Sequence, residues 1–128
     1  MLSLALIAGI WTTACIQTQI ADVNTGYVKE TYSITKEGQF EFMREWYSDS
    51  KCSEPKGTDT EAGIVRVGKR LPNIFIPDDM FEADFSTQKG LDLGAVAVKK
   101  DKLRVARGVA NSSMRNTMLS LFEYTKRK

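Results

Sequence analysis

The chain has 128 residues, with 18 Lys and Arg against 16 Asp and Glu, two cysteines and no histidine. That length fits one domain around one hydrophobic core. The missing histidine excludes Ser-His-Asp and Cys-His catalysis, histidine metal sites and an imidazole pH switch, and two cysteines cannot complete a four-cysteine zinc site.

A net charge of +2 is close to balanced. Basic residues concentrate only at Lys99–Arg107 and in Lys126-Arg127-Lys128. Neither stretch is interleaved with the stacking aromatics of a nucleic-acid binder, so no nucleic-acid partner is expected.

Residues 1–8 (Met-Leu-Ser-Leu-Ala-Leu-Ile-Ala) form an apolar N-terminal segment, too short to span a bilayer, which takes ~20 apolar residues. Two readings follow. One makes it the remnant of a signal, with Cys15 acylated as in a lipoprotein, although Thr12 stands where such signals carry an apolar residue. The other, preferred, makes it the start of the first strand. Both imply a secreted or periplasmic protein, and peripheral membrane association is compatible with either. Residues 9–128 then form a single domain, with no internal repeat and no linker.

Short runs rich in β-branched and aromatic residues recur between turn signals. Ile10–Thr18 reads as a strand, and Asn24-Thr25-Gly26 as a turn. Tyr27–Thr35 and Gln39–Tyr47, joined by Lys36-Glu37-Gly38, read as an antiparallel hairpin. Thr58–Gly68 is a further strand, with Gly63 a bulge or a point of close packing. In Leu71–Gly90, Asn73–Ile76 reads as a short extended piece. Asp79–Phe85 fits either a strand or one to two helical turns, with Phe81 and Phe85 four apart. Leu93–Lys99, Leu103–Arg107 and Met118–Lys126 complete the set, with Lys100-Asp101 a two-residue hairpin candidate lacking the favoured glycine. About eight strands with short connections predict an all-β protein, an antiparallel up-and-down barrel or a sandwich, with at most one or two helical turns. Closure removes exposed strand edges, and a barrel of that size holds side chains or one small ligand.

Gly9-Ile-Trp11 on the first strand matches the Gly-x-Trp pattern of lipocalins and the wider calycin barrels. The ordered elements Trp11-Thr-Thr-Ala-Cys15, Tyr47-Ser-Asp49-Ser-Lys-Cys52, Gly63–Gly68 and Tyr124-Thr-Lys126 resemble a set of small bacterial secreted lipocalin-like proteins of uncharacterised function. Leu71–Gly90 departs from that set and stands as an unexplained insert. The resemblance implies a closed barrel in which Trp11 seals one end, Gly9 allows close passage, and a cationic side chain packs over the indole. Arg115 is the candidate for that cation and Arg107 the runner-up. An even cysteine count in an exported chain favours a Cys15–Cys52 disulfide, the alternative being two separately buried thiols.

Phe40, Phe42, Arg44 and Trp46 share one face of their strand, either as barrel core or as the wall of an apolar pocket. Arg44 and Arg66 lie on alternating apolar faces, as inward cations that would orient an acidic headgroup. The acidic residues Asp78, Asp79, Glu82 and Asp84 read as a solvated loop rather than as a catalytic pair or a Ca²⁺ site. No catalytic residue, metal site or cofactor motif is identified, and the chain reads as a non-enzyme. The expected function is non-covalent binding of a small hydrophobic or amphipathic molecule in a cavity of ~300 Å³ or more. The alternative is an exported protein as partner. One form is a protease inhibitor resembling the small calycin-type inhibitors of bacterial metalloproteases, with residues 1–8 as the inserted trunk. Another is an envelope interaction module.

Overall fold

The computed structural model of the chain describes residues 2–20, 24–71, 79–108 and 123–127. A short helix, α1 (Leu2–Ile7), precedes nine strands: β1 (Gly9–Thr12), β2 (Ile16–Ile20), β3 (Asn24–Ile34), β4 (Gln39–Tyr47), β5 (Pro55–Arg70), β6 (Asp79–Thr87), β7 (Gly90–Lys99), β8 (Lys102–Ala106) and β9 (Tyr124–Lys126). Their order across the sheet is β1-β9-β8-β7-β6-β5-β4-β3-β2, and a further antiparallel β1–β3 pairing closes eight strands into a barrel. β2 is the extra strand, paired to β3 beside the closure. The all-β antiparallel barrel expected from the strand count is therefore the fold.

The expected first strand, Ile10–Thr18, is two strands. β1 pairs with the second half of β3 and β2 with its first half. Between them Thr13 turns inward and is buried. Its amide donates to the Glu30 carbonyl at 3.0 Å and its hydroxyl accepts from the Glu30 amide at 3.0 Å. This break keeps the buried backbone satisfied while β1 swings across to β9.

Asp79–Phe85 is a strand, and it is β6. Phe81 and Phe85 share a face in a strand as well as in a helix, because a separation of four fits both periods. Ala83 completes that inner face, and all three are buried. On the other face Met80 packs with Ala95, Ala97 and Ala106 in a second buried cluster. Leu71–Gly90 is thus no insert, since it supplies a barrel strand and the hairpin into β7; Asn73–Ile76 and Asp78 lie outside the described residues. Gly63 is a point of close packing, because a Cβ there would lie 1.9 Å from the Ser86 carbonyl oxygen. Lys100 takes the left-handed conformation (φ 54°) that the tight β7–β8 hairpin requires without a glycine.

Residues 2–7 form a helix rather than the start of a strand. Ile7 is fully buried in the core, and Leu4 packs against it. The Trp11 indole Nε1 donates to the Ile7 carbonyl at 2.8 Å, so the buried ring keeps its one polar atom satisfied. Above this plug the interior is filled by Phe40, Val65, Phe85, Val96 and Leu103. The expected apolar cavity is taken up by the chain's own side chains, and room for a ligand begins above that layer.

Candidate binding site at the barrel mouth

Strand alternation carries Phe40, Phe42, Arg44 and Trp46 up one inner face of β4, as expected. Phe40 is buried in the core, while Phe42, Arg44 and Trp46 are partly exposed towards the open end. There Phe42 and Arg44, with Trp46 beside Arg44, meet residues of five other strands around a cavity of about 450 Å³, lined among others by Glu30, Tyr32, Glu61, Asp92, Val105, Arg107 and Tyr124.

Two ion-pair groups form its wall. Glu30 lies opposite Arg44 in the β3–β4 register, and its side chain is only 5% exposed. Arg44 donates to Glu30 Oε2 through Nη2 at 2.7 Å and Nε at 2.8 Å, and the Tyr124 hydroxyl donates to Oε1. Three charge-assisted bonds compensate the desolvation of the buried carboxylate. On the far side of Arg44 stands Asp59, its β5 partner, whose Oδ2 accepts from Trp46 Nε1 at 3.1 Å. The guanidinium carbon sits 5.5 Å from the Phe42 ring centre and 5.8 Å from that of Trp46.

Arg107 anchors the second group. Its Nη1 pairs with Glu61 Oε1 at 2.6 Å and its Nη2 with Asp92 Oδ2 at 2.7 Å. The guanidinium carbon lies 4.7 Å from the Phe85 ring centre and 5.6 Å from that of Phe40, which caps the apolar core with a cation. Burial opposes the Arg107 charge, but the adjacent Tyr32 hydroxyl and Glu61 carboxylate outweigh it and raise its pKa above the ordinary value. Burial likewise pushes the Tyr32 phenol up to about 12, partly offset by Arg107. The Tyr124 phenol is raised in the same direction, first by burial and then by Tyr32 and Glu30. Both phenols stay neutral at physiological pH, Tyr124 as a donor to Glu30. Tyr32 packs tilted against Phe42 (centroids 4.8 Å, planes at 44°) and meets Tyr124 edge-on (5.3 Å), which fixes the aromatic part of the wall.

Other expected residues fall elsewhere. Arg66 is exposed on the outer face of β5, opposite Asp84 of β6, and does not reach the cavity. The apolar signal that pointed inward came from Ala62 and Ile64, which also face out, with Ile64 52% exposed. The inward phase of β5 is Glu61, Gly63, Val65 and Val67, disguised by a carboxylate and a glycine. The cation over Trp11 is Lys126 of β9, with Nζ 5.6 Å from the ring centre. Arg107 is engaged at the mouth, and Arg115 lies outside the described residues. The Lys126 role was legible only in the pattern Tyr124-Thr-Lys126 and was not drawn from it. Sequence reasoning also missed Glu30, Asp59, Glu61 and Asp92 at the mouth, because single carboxylates in strands look like outward residues.

Cys15 and Cys52 form a disulfide, S–S 2.00 Å with Cα atoms 5.8 Å apart. It ties the β1–β2 break to the β4–β5 loop. That loop is organised by Asp49, whose carboxylate accepts from the Ser53 amide and hydroxyl and from the Glu54 amide at 2.8 Å. Cys15 sulfur is therefore engaged in the disulfide and not in a thioether to lipid. Such a bond belongs to an oxidising, non-cytoplasmic compartment.

A larger hollow, about 590 Å³, is lined mostly by outward residues of β3, β4 and β5 (Thr31, Ser33, Met43 and Thr60 among them) and by the β6–β7 turn, and shares Phe42 and Glu61 with the mouth. The mouth is the stronger candidate site because the ion pairs, the buried carboxylate and the stacked rings converge there. Comparison of the chain with protein-family models, with curated proteins and with solved structures returned no match.

Proposed function

We propose that this protein is an exported, disulfide-stapled β-barrel that binds a small amphipathic molecule non-covalently at its open end. What supports this is the cavity of about 450 Å³ above a filled apolar core, walled by Phe42 and Tyr32 and rimmed by fixed charges. A preformed hollow with an aromatic floor and a few oriented polar groups suits recognition, because apolar contact supplies affinity and the fixed groups set orientation. A wholly hydrophobic ligand fits less well, since the interior is occupied and the wall is largely polar. Binding rather than turnover is the proposal, in keeping with the absence of histidine from the sequence.

The test is titration with dansylamide, a neutral amphipathic naphthyl probe that accepts energy from tryptophan. The expected result is saturable one-to-one binding with transfer from the mouth residue Trp46. A Trp46→Phe variant should then keep the probe's direct emission and lose part of the transfer, with Trp11, the register partner of Tyr32, supplying the rest. Unsaturable binding, or transfer untouched by that substitution, would overturn the proposal.

A further inference from the structure

We infer that the mouth selects organic cations: an amine borne on an aromatic or alkyl body. The inference rests on the proposed binding role and adds the charge of the ligand. Among the described residues, three carboxylates line the mouth, Glu30, Glu61 and Asp92, against two guanidiniums, Arg44 and Arg107, and Asp59 stands beside Arg44 in the β4–β5 register. The excess is negative.

Position sharpens the count. Asp92 is 45% exposed and Glu61 24%, whereas the Arg107 side chain they cover is 17% exposed. A ligand approaching that side meets carboxylate oxygen before guanidinium nitrogen. The Arg107 guanidinium also lies over the Phe85 and Phe40 rings, its Nη1 and Nη2 engaged by Glu61 and Asp92 and its Nε buried. Arg44 is the more accessible cation at 39% exposed. It is nonetheless flanked in register by Glu30 on β3 and Asp59 on β5, and two of its nitrogens bind Glu30. An anionic headgroup reaching Arg44 would stand close to the carboxylates of Glu30 and Asp59, and Glu30 is buried with no solvent to retreat into. A cation can share the rim carboxylates, whose remaining lone pairs are open, without removing one. It gains Asp92, Glu61 or Asp59 at the rim, while its body lies against Phe42 and Tyr32. Low-dielectric walls strengthen this field within the cleft.

The experiment is calorimetric titration of the intact, disulfide-bonded protein at low ionic strength with three probes sharing one ring system: tryptamine (cation), tryptophol (neutral) and indole-3-acetate (anion). Tryptamine should bind tightest and indole-3-acetate weakest, with roughly tenfold between the two, and added salt should narrow the gap. Asp92→Asn should lower tryptamine affinity about threefold and leave tryptophol unchanged. Asp59→Asn is the second variant, should loss of Asp92 disturb Arg107. If indole-3-acetate binds as tightly as tryptamine, or tryptophol equals it, the charge inference falls while the binding role stands. If none of the three binds, the inference falls as well, and the neutral naphthyl probe judges the binding role separately.

Discussion

Lys126 lays its ammonium 5.6 Å from the centre of the Trp11 ring, and Gly9 makes the room for it. A Cβ on Gly9 would lie 2.8 Å from Lys126 Cε, and Gly9 has φ +136°, a conformation that side chains rarely adopt. Trp11 and Lys126 are direct partners in the β1–β9 register, so the contact stands on the seam that closes the barrel.

Gly9→Ala should therefore destabilise the fold by about 1–3 kcal/mol, most of it backbone strain. Lys126→Ala should cost under about 1 kcal/mol, because the ammonium is exposed. In the Lys126→Ala background the Gly9→Ala cost should shrink only slightly, since a flexible side-chain end can move aside. Urea unfolding of the three variants measures this; a neutral Gly9→Ala would contradict it.

The disulfide closes a sequence separation of 37 residues, for which the chain-entropy relation gives about 4 kcal/mol. The double variant Cys15→Ser with Cys52→Ser should lose stability of that order, and reduced wild type should match it. A change below about 1 kcal/mol in denaturant unfolding would show that the loop holds its place without the bond.

Removing Arg44 strands Glu30, whose side chain is 5% exposed. Tyr124 would remain as a donor, and Arg44 itself is partly solvated, so Arg44→Ala should cost about 2–3 kcal/mol, below the full penalty of a broken buried pair. Combining Arg44→Met with Glu30→Gln should recover part of the loss. The coupling is read from a double-mutant cycle; additive losses would mean the two side chains act independently.

Asp49 has its pKa lowered, first by the Ser53 hydroxyl and then by the Glu54 amide. A carboxylate favoured in the folded state stabilises it fully above the unfolded pKa of about 3.9, and that stability disappears as pH falls through the lower folded value. Asp49→Ala should thus lower the melting temperature at pH 7 and differ less from wild type near pH 2. Parallel melting curves across that range test it; a gap independent of pH would assign the effect to something other than the charge.

The Tyr32 phenol is pushed up to about 12 by burial, against the ordinary 10.0. The fold favours its neutral form, so the associated stability is complete below pH 10 and is lost as pH rises from 10 towards 12. Tyr32→Phe should flatten the alkaline fall in stability over that window. Absorbance titration of phenolate should show one fewer late-titrating tyrosine in the variant.

Period-two alternation is a property of neighbouring residues, and what depends on it alone was legible. The hairpin of β3 and β4, the inner face running from Phe40 to Trp46 and the strand count, which fits a barrel or a sandwich, are all of this kind. The cysteine pair followed from the number of cysteines and the setting. Phase was legible only where the inner residues are apolar. On β5 the inner face carries Glu61 and Gly63, so Ala62, Ile64 and Arg66 looked like the buried set.

Contacts between distant segments were decided by closure. Tyr124 and Glu30 are 94 residues apart and meet because β9 enters the barrel beside β1. The same seam, not proximity in sequence, chose Lys126 to cover Trp11. The residues by themselves determined an all-β chain of about eight short antiparallel strands. Only the tertiary structure decided which charges face one another at the mouth, because a carboxylate is stable inside a barrel only where another strand brings a cation or hydroxyl to it.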